Sequence, residues 1–275
     1  MPTTIYGVDF TSAPSRRKPI TCDECRLDVT RLRFVDLHLW SDFDAFSAFL
    51  ASPGPWIAGL DFPFGQARKF VETIGWPSHW AGYVGLVSRM TRREFYDALT
   101  AYRLPRATGD KEHRRKVDVL TRAISPQKLH GVPVGLMFYE GAPRLLASGV
   151  MIPLLQEGDP GRVVVEAYPG VMARRLISNR PYKSDDRGRQ TTERLAARRE
   201  MLGRLKAEDP SLHGLEIDAP DELADAPSGD PLDALLCAVQ AAWAWQNRAK
   251  NFGIPTCADP LEGWISDPGL LAEGP

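Results

Sequence analysis

Three apolar runs in this chain end on an acid: "IYGVDF" on Asp9, "WIAGLDF" on Asp61 and "GRVVVEAYPG" on Glu166. A carboxylate taken out of water loses solvation or keeps its proton. Several brought to one cleft need a countercharge, which a hard divalent cation supplies most directly. Magnesium, with oxygen ligands and retained waters, suits a few carboxylates in an open site. "GDPLDALLCAVQAAWAWQ" adds Asp230 and Asp233, three residues apart and so on one side of a helical first turn. Each acid also has a plain structural reading. A strand-end Asp bonds the backbone of the next turn, Asp230 caps the helix, and Asp233 complements its dipole. The recurrence of the pattern favours a shared site.

These acids need strands that end side by side. Strands are expected at 4–10, 19–28, 31–39, 56–62 and 162–168. "SDFDAFSAFLAS" has Phe43, Phe46, Phe49 and Leu50 at helical spacing, with Ser41 as its cap. Residues 66–150 show no strand pattern. Within them, "TRREFYDALTAYR" and "KEHRRKVDVLTRAI" look helical and "GLMFYEGAPRLLASG" looks like a broken helix, which together suggest a helical insertion between core strands. Residues 171–178 and 190–207 read as helices, and Pro231 suits the start of the last one. Consecutive early strands followed by alternating strands and helices predict a mixed α/β sheet in one domain spanning 1–275. In open sheets of this class ligands sit beyond the carboxyl ends of the strands.

A formal net charge of −1 favours no partner by itself. No apolar stretch is long enough to span a bilayer and no leader pattern opens the chain, so a cytoplasmic location is expected. Cys22 and Cys25 form a lone C-x-x-C with no second pair at zinc-like spacing, and read as strand cysteines. Neither an H-E-x-x-H helix nor a G-x-S-x-G elbow occurs, which removes two familiar hydrolase classes.

"YGVDFTSAP", "IAGLDFPFG", "VVVEAYPG", "DPLDALLCA" and the late "EGWI", in that order, resemble an uncharacterised family of predicted RNase H-like nucleases. The resemblance implies a ribonuclease H-like core: a five-stranded mixed sheet with an antiparallel meander first, flanked by helices. It also implies Mg2+ or Mn2+ held by Asp9, Asp61 and Asp233, with Asp230 beside them, and two-metal hydrolysis of phosphodiesters in DNA or RNA. Loss of Asp9 or Asp61 would then abolish activity and spare the fold. Glu166 is a ligand, a base acting through a neighbour, or a structural acid. Lys183, in "RPYKSDD", either pairs with a phosphate or is a solvated loop lysine.

Basic segments at 111–122, with Arg114 and Arg115, and at 187–206 can track a nucleic-acid backbone or form solvated helix faces. Residues 207–233, rich in Asp and Glu without Lys or Arg, read as a linker. Trp76 and Trp80 are candidates for stacking bases. Two further readings stay open. One is a phosphotransferase of the actin and sugar-kinase type, which needs a second core. The other is a noncatalytic nucleic-acid-binding module.

Overall fold

The structure, a computed structural model, describes residues 2–184, 186–207 and 214–270. The first six residues of the acidic run after Ala207 lie outside the described residues. A mixed sheet of seven strands forms the centre: β1 (Thr3–Asp9), β2 (Ile20–Asp28), β3 (Arg31–Trp40), β4 (Trp56–Leu60), β5 (Val150–Met151), β6 (Asp159–Glu166) and β7 (Glu216–Asp218), in the spatial order β5-β6-β4-β1-β2-β3-β7. β1, β2 and β3 form an antiparallel meander, and β4 runs parallel to β1, β6 to β4, β5 to β6 and β7 to β3. The five expected strands are present, and the count rises to seven through β5 and β7. Both additions are short edge strands, too brief to carry an alternating pattern.

Helices cover both faces. On one lie α1 (Phe43–Leu50), α2 (Arg68–Ile74), α3 (Trp80–Val87), α4 (Arg92–Arg103) and α6 (Val134–Ser148). They bury Phe46, Phe70, Tyr83, Phe95 and Phe138 against Val8, Ala58, Leu60 and Val164 of the strands. The short α5 (Lys116–Leu120) packs apart, Val117 lying against Ile254, Ala258, Trp264 and Ile265, so most of the stretch expected as an insertion is the helical cover of one face. On the other face α7 (Pro169–Ile177), α8 (Thr192–Lys206) and α9 (Asp230–Gln246) pack over Ile5, Ile57, Val163 and Val165.

Several local expectations are corrected. Asp42, not Ser41, caps α1, its carboxylate accepting from Ala45 N at 2.9 Å. The segment 111–124 contains only the one-turn α5, because Arg115 is extended (ψ 162°) and Arg122 adopts φ 53°. α6 runs unbroken through Pro143, since burial of Phe138, Ala142 and Leu145 offsets the lost hydrogen bond.

α9 sets the geometry of the site. It is buried along most of its length and crosses β1 and β4 with main chain nearly touching main chain. A Cβ on Gly7 would lie 1.9 Å from the Ala234 carbonyl oxygen, and one on Gly59 2.4 Å from that of Cys237. Only glycine permits this approach. Gly7 and Gly59 are paired neighbours in the parallel β1–β4 ladder, so the helix lies in a trough two strands wide. Its first turn therefore sits over the carboxyl ends of β1 and β4.

Candidate active site

Strand parity decides which acids meet. Side chains two residues apart on a strand share a face. Asp9 follows Gly7 by two, and Asp61 follows Gly59 by two, so both project toward α9 at the open end of the sheet. There they join Asp230 and Asp233 of the first turn of α9. Glu166 has the opposite parity: Val163 and Val165 face α9, while Val164 and Glu166 face the insertion helices.

The acid cluster gathers around one ammonium. Lys183 pairs with Asp233 Oδ2, and Tyr182 Oη donates to Asp233 Oδ1 at 2.7 Å. The loop carrying them is held from α8, where Arg198 donates to the Tyr182 carbonyl at 2.7 Å and to that of Ala224 at 2.7 Å, and Arg194 donates to the Lys183 carbonyl. Gly229, at φ 77°, lets the loop close in, since a Cβ there would stand 2.8 Å from Lys183 Cβ. Gly229 also occupies the helix N-cap, so Asp230 is the first residue of α9 and not its cap.

Asp9 and Asp61 are half-buried, and among the described residues neither carboxylate accepts a hydrogen bond. Burial pushes Asp9 well above the ordinary carboxylate range; Lys183 opposes the shift, and Asp233, Asp230 and Asp61 add to it. Burial raises Asp61 to about 7, again opposed by Lys183 and reinforced by Asp233. Asp230 is raised by burial with the same neighbours acting. Burial alone would lower Lys183, but the Asp233 carboxylate, Tyr182 and Asp9 carry it well above its usual value. Two-fifths of its side chain (41%) still reaches solvent. The stem forms the lip of the cleft, and the ammonium lies among the acids.

This donor set suits a hard divalent cation: aspartate oxygens from three elements, poor in hydrogen-bond donors, with a lysine already standing in as the cation. Among the described residues, no three His, Cys, Asp or Glu side chains stand together as a ready-made metal cage. Asp9, Asp61, Asp230 and Asp233 would hold the ion, with the Lys183 ammonium moved aside.

Glu166 belongs to a different cluster. Arg115, 1% exposed, donates to Glu166 Oε1 at 2.6 Å and Oε2 at 2.8 Å, and to Asp118 Oδ1 at 2.7 Å. Phe64 N donates to Glu166 Oε2 at 2.9 Å. Arg115 also donates to the Glu262 carbonyl at 3.1 Å, and the Glu262 carboxylate accepts from Arg68 N at 2.8 Å and Lys116 N at 2.9 Å. Glu166 thus acts as a structural acid and Arg115 as its partner, with no free donor for a phosphate. Arg114 is exposed and outside the cleft-lining groups.

Other expectations are corrected as well. Trp80 is buried, its Nε1 donating to the Phe64 carbonyl at 2.7 Å, and Trp76 packs on Phe70 and Tyr83, so neither offers a stacking face. Cys22 and Cys25, by contrast, are strand residues as expected, buried on opposite faces of β2. Several arginines from 174 to 206 have partners within the chain: Arg175 pairs with Asp267, and the exposed Arg199 and Arg204 contact Asp225 at 2.9 Å and the Leu176 carbonyl at 2.9 Å. Sequence reasoning missed Tyr182 and the role of Glu262. It also missed the doubled Gly-x-Asp of "GVD" and "GLD", the signal that separates Asp9 and Asp61 from Glu166.

No helix of the described residues is long and apolar enough to cross a membrane. Comparison with curated proteins and with solved structures returned no match. The sequence model of a family described as protein of unknown function, DUF429, matches residues 7–256, and the chain belongs to that family.

Proposed function

We propose that this protein is a divalent-cation-dependent hydrolase of phosphodiester bonds in nucleic acid, built on a ribonuclease H-like sheet. The observation that carries the reading is the convergence of Asp9, Asp61, Asp230 and Asp233 on one ammonium, with two of the carboxylates lacking a hydrogen-bond donor among the described residues. Several carboxylates gathered at an open cleft and kept short of donors are poised for a cation. The order β3-β2-β1-β4-β6, with an antiparallel meander followed by parallel strands, supports the ribonuclease H-like assignment.

Mg2+ or Mn2+ bound there would activate a water and offset charge on the phosphate oxygens. The chain's own residues do the rest. Asp9 and Asp61, fixed at strand ends, present oxygens on a rigid support. Asp233 is oriented by Tyr182, which fixes one of its oxygens and leaves the other to Lys183. Lys183, once released from Asp233, is a mobile positive charge at the lip for a nonbridging phosphate oxygen. The cavity over Asp9, Asp61, Lys183 and Asp230, about 340 Å3, is open enough to admit a phosphate with its water.

The test joins metal binding with hydrolysis. Mn2+ titrated into the protein and followed by electron paramagnetic resonance should lose its free signal, and single- and double-stranded DNA and RNA should be screened for cleavage in parallel. Asp9→Asn should abolish both binding and cleavage. Undiminished Mn2+ binding by Asp9→Asn, or cleavage that survives it, would rule the reading out.

A further inference from the structure

Beyond the carboxyl ends of β4 and β6, a second cavity of about 260 Å3 opens beside the acid cluster. It shares Asp61 and Lys183 with the cavity over the cluster, so one ligand can reach both. Its outer walls are of another kind. Ile124, 44% exposed, stands at its rim and the rings of Tyr168 and Tyr182 line it, while Val132, 55% exposed, and Met137 border both cavities. Exposed aliphatic side chains rimming a charged cleft mark a surface meant to be covered. The floor is the Arg115–Asp118–Glu166 cluster, whose charges are already matched to one another. A second phosphate would find no unmatched cation there, since Lys183 at the shared edge is paired with Asp233. A flat uncharged ring would find apolar walls, two tyrosine rings and a polar floor.

On the far side of the acid cluster a third cavity, about 530 Å3, is lined by Arg17 and Lys18 and shares Lys18 and Asp230 with the central one. The three form a continuous trough: basic at one end, acidic at the centre, apolar and aromatic at the other. That sequence matches a nucleotide chain in which a backbone precedes the reacting phosphate and a base follows it.

We propose that the apolar cavity seats one unpaired nucleobase of a single-stranded nucleic acid, beside the phosphodiester held at the acid cluster. The inference rests on the hydrolase reading above and names its substrate class. The volume, about 260 Å3, falls just below the ~300 Å3 at which drug-sized ligand pockets begin, and suits one ring system and not a base pair. A base inside a duplex must leave its stack to enter, so single strands are preferred.

The test compares octathymidylate with an abasic octamer of the same length and charge. Both carry a fluorescent label, and binding to the full chain is followed by anisotropy without divalent cation. Stacking on aromatic walls predicts at least about tenfold tighter binding of the chain that has bases. Ile124→Asp and Val132→Asp, at exposed rim positions, should bring that ratio close to one with unchanged melting temperatures. Equal affinity for both chains, a ratio that survives both variants, or no binding of either would overturn the inference. So would a concentration-dependent dimer dissolved by Ile124→Asp without discrimination between chains, which would assign the rim to a second copy. Hydrolysis separates the two claims. Mn2+-dependent cleavage with equal kcat/KM on both octamers would remove the base site and leave the hydrolase. Base-selective binding without cleavage of any strand would remove the hydrolase.

Discussion

Two ionic clusters lie at the same end of the sheet, and they are built to opposite rules. Around Arg115, every oxygen of Glu166 and Asp118 accepts a hydrogen bond from a guanidinium or backbone donor. Around Lys183, four aspartates share one ammonium, and Asp9 and Asp61 have no donor among the described residues. Fixed partners in the first case make a brace between the insertion, β6 and the chain near Glu262. Missing partners in the second leave carboxylates that the proposed cation would satisfy. The contrast locates function better than the number of acids does, since both clusters are rich in them.

The comparison can be broken from either side, and the largest effect is expected at the brace. Arg115→Met leaves Glu166 and Asp118 buried without a cation, which should destabilise the fold by about 3–5 kcal/mol. Urea unfolding measures this; a loss under about 1 kcal/mol would show that the brace is not one. Asp61→Asn should do the reverse. It should lower Mn2+-dependent hydrolysis about 10²–10³-fold, given the several kcal/mol a cation supplies to such a transition state, with no fall in melting temperature. A clear fall would class Asp61 with the structural acids.

Lys183→Met sharpens the same contrast. The metal-free protein should melt lower, because four acids lose their ammonium, and Mn2+ should restore the midpoint. A cation should fail to rescue Arg115→Met in the same thermal-shift assay. Rescue of both variants or of neither would erase the distinction between the clusters.

The smallest effect concerns Asp23 on β2, fully buried with neither carboxylate oxygen hydrogen-bonded. It pairs across the ladder with Gly7 and so faces α9. Burial holds its pKa well above the ordinary value. A raised folded-state pKa costs nothing below about pH 4 and more as pH climbs toward it. Asp23→Val should therefore stabilise the protein by about 1 kcal/mol near neutrality and by much less at pH 4. Calorimetry at the two pH values checks both the size and the sign, and a larger gain at pH 4 would be the wrong sign.

Much of this was legible in the sequence, and the remainder was hidden for identifiable reasons. β1, β4 and β6 announce themselves as apolar runs stopped by acids, β2 and β3 show only partial alternation, and the nearness of Asp9 to Asp61 follows from β1 and β4. β5 and β7 are too short to show a period. Glu166 was grouped with the other acids because its place at a strand end was weighed and its parity was not. Arg115 looked like a phosphate ligand because nothing local announces Glu166, 51 residues away, as its partner. Lys183 and Tyr182 sit on a loop, where spacing carries no orientation, and only the grip of Arg194 and Arg198 on their carbonyls turns them inward.

The bare main chain at Gly7 and Gly59 has a further consequence. The gap between the acids of the strands and those of the helix is set by how low α9 rides on the sheet, and that height is fixed where no side chain intervenes. One added methyl at either glycine would act as a shim, lifting the helix and widening the jaws of the site while leaving every acid in the sequence. The spacing of the acids is thus a dimension that can be tuned from beneath, by residues that carry no side chain of their own.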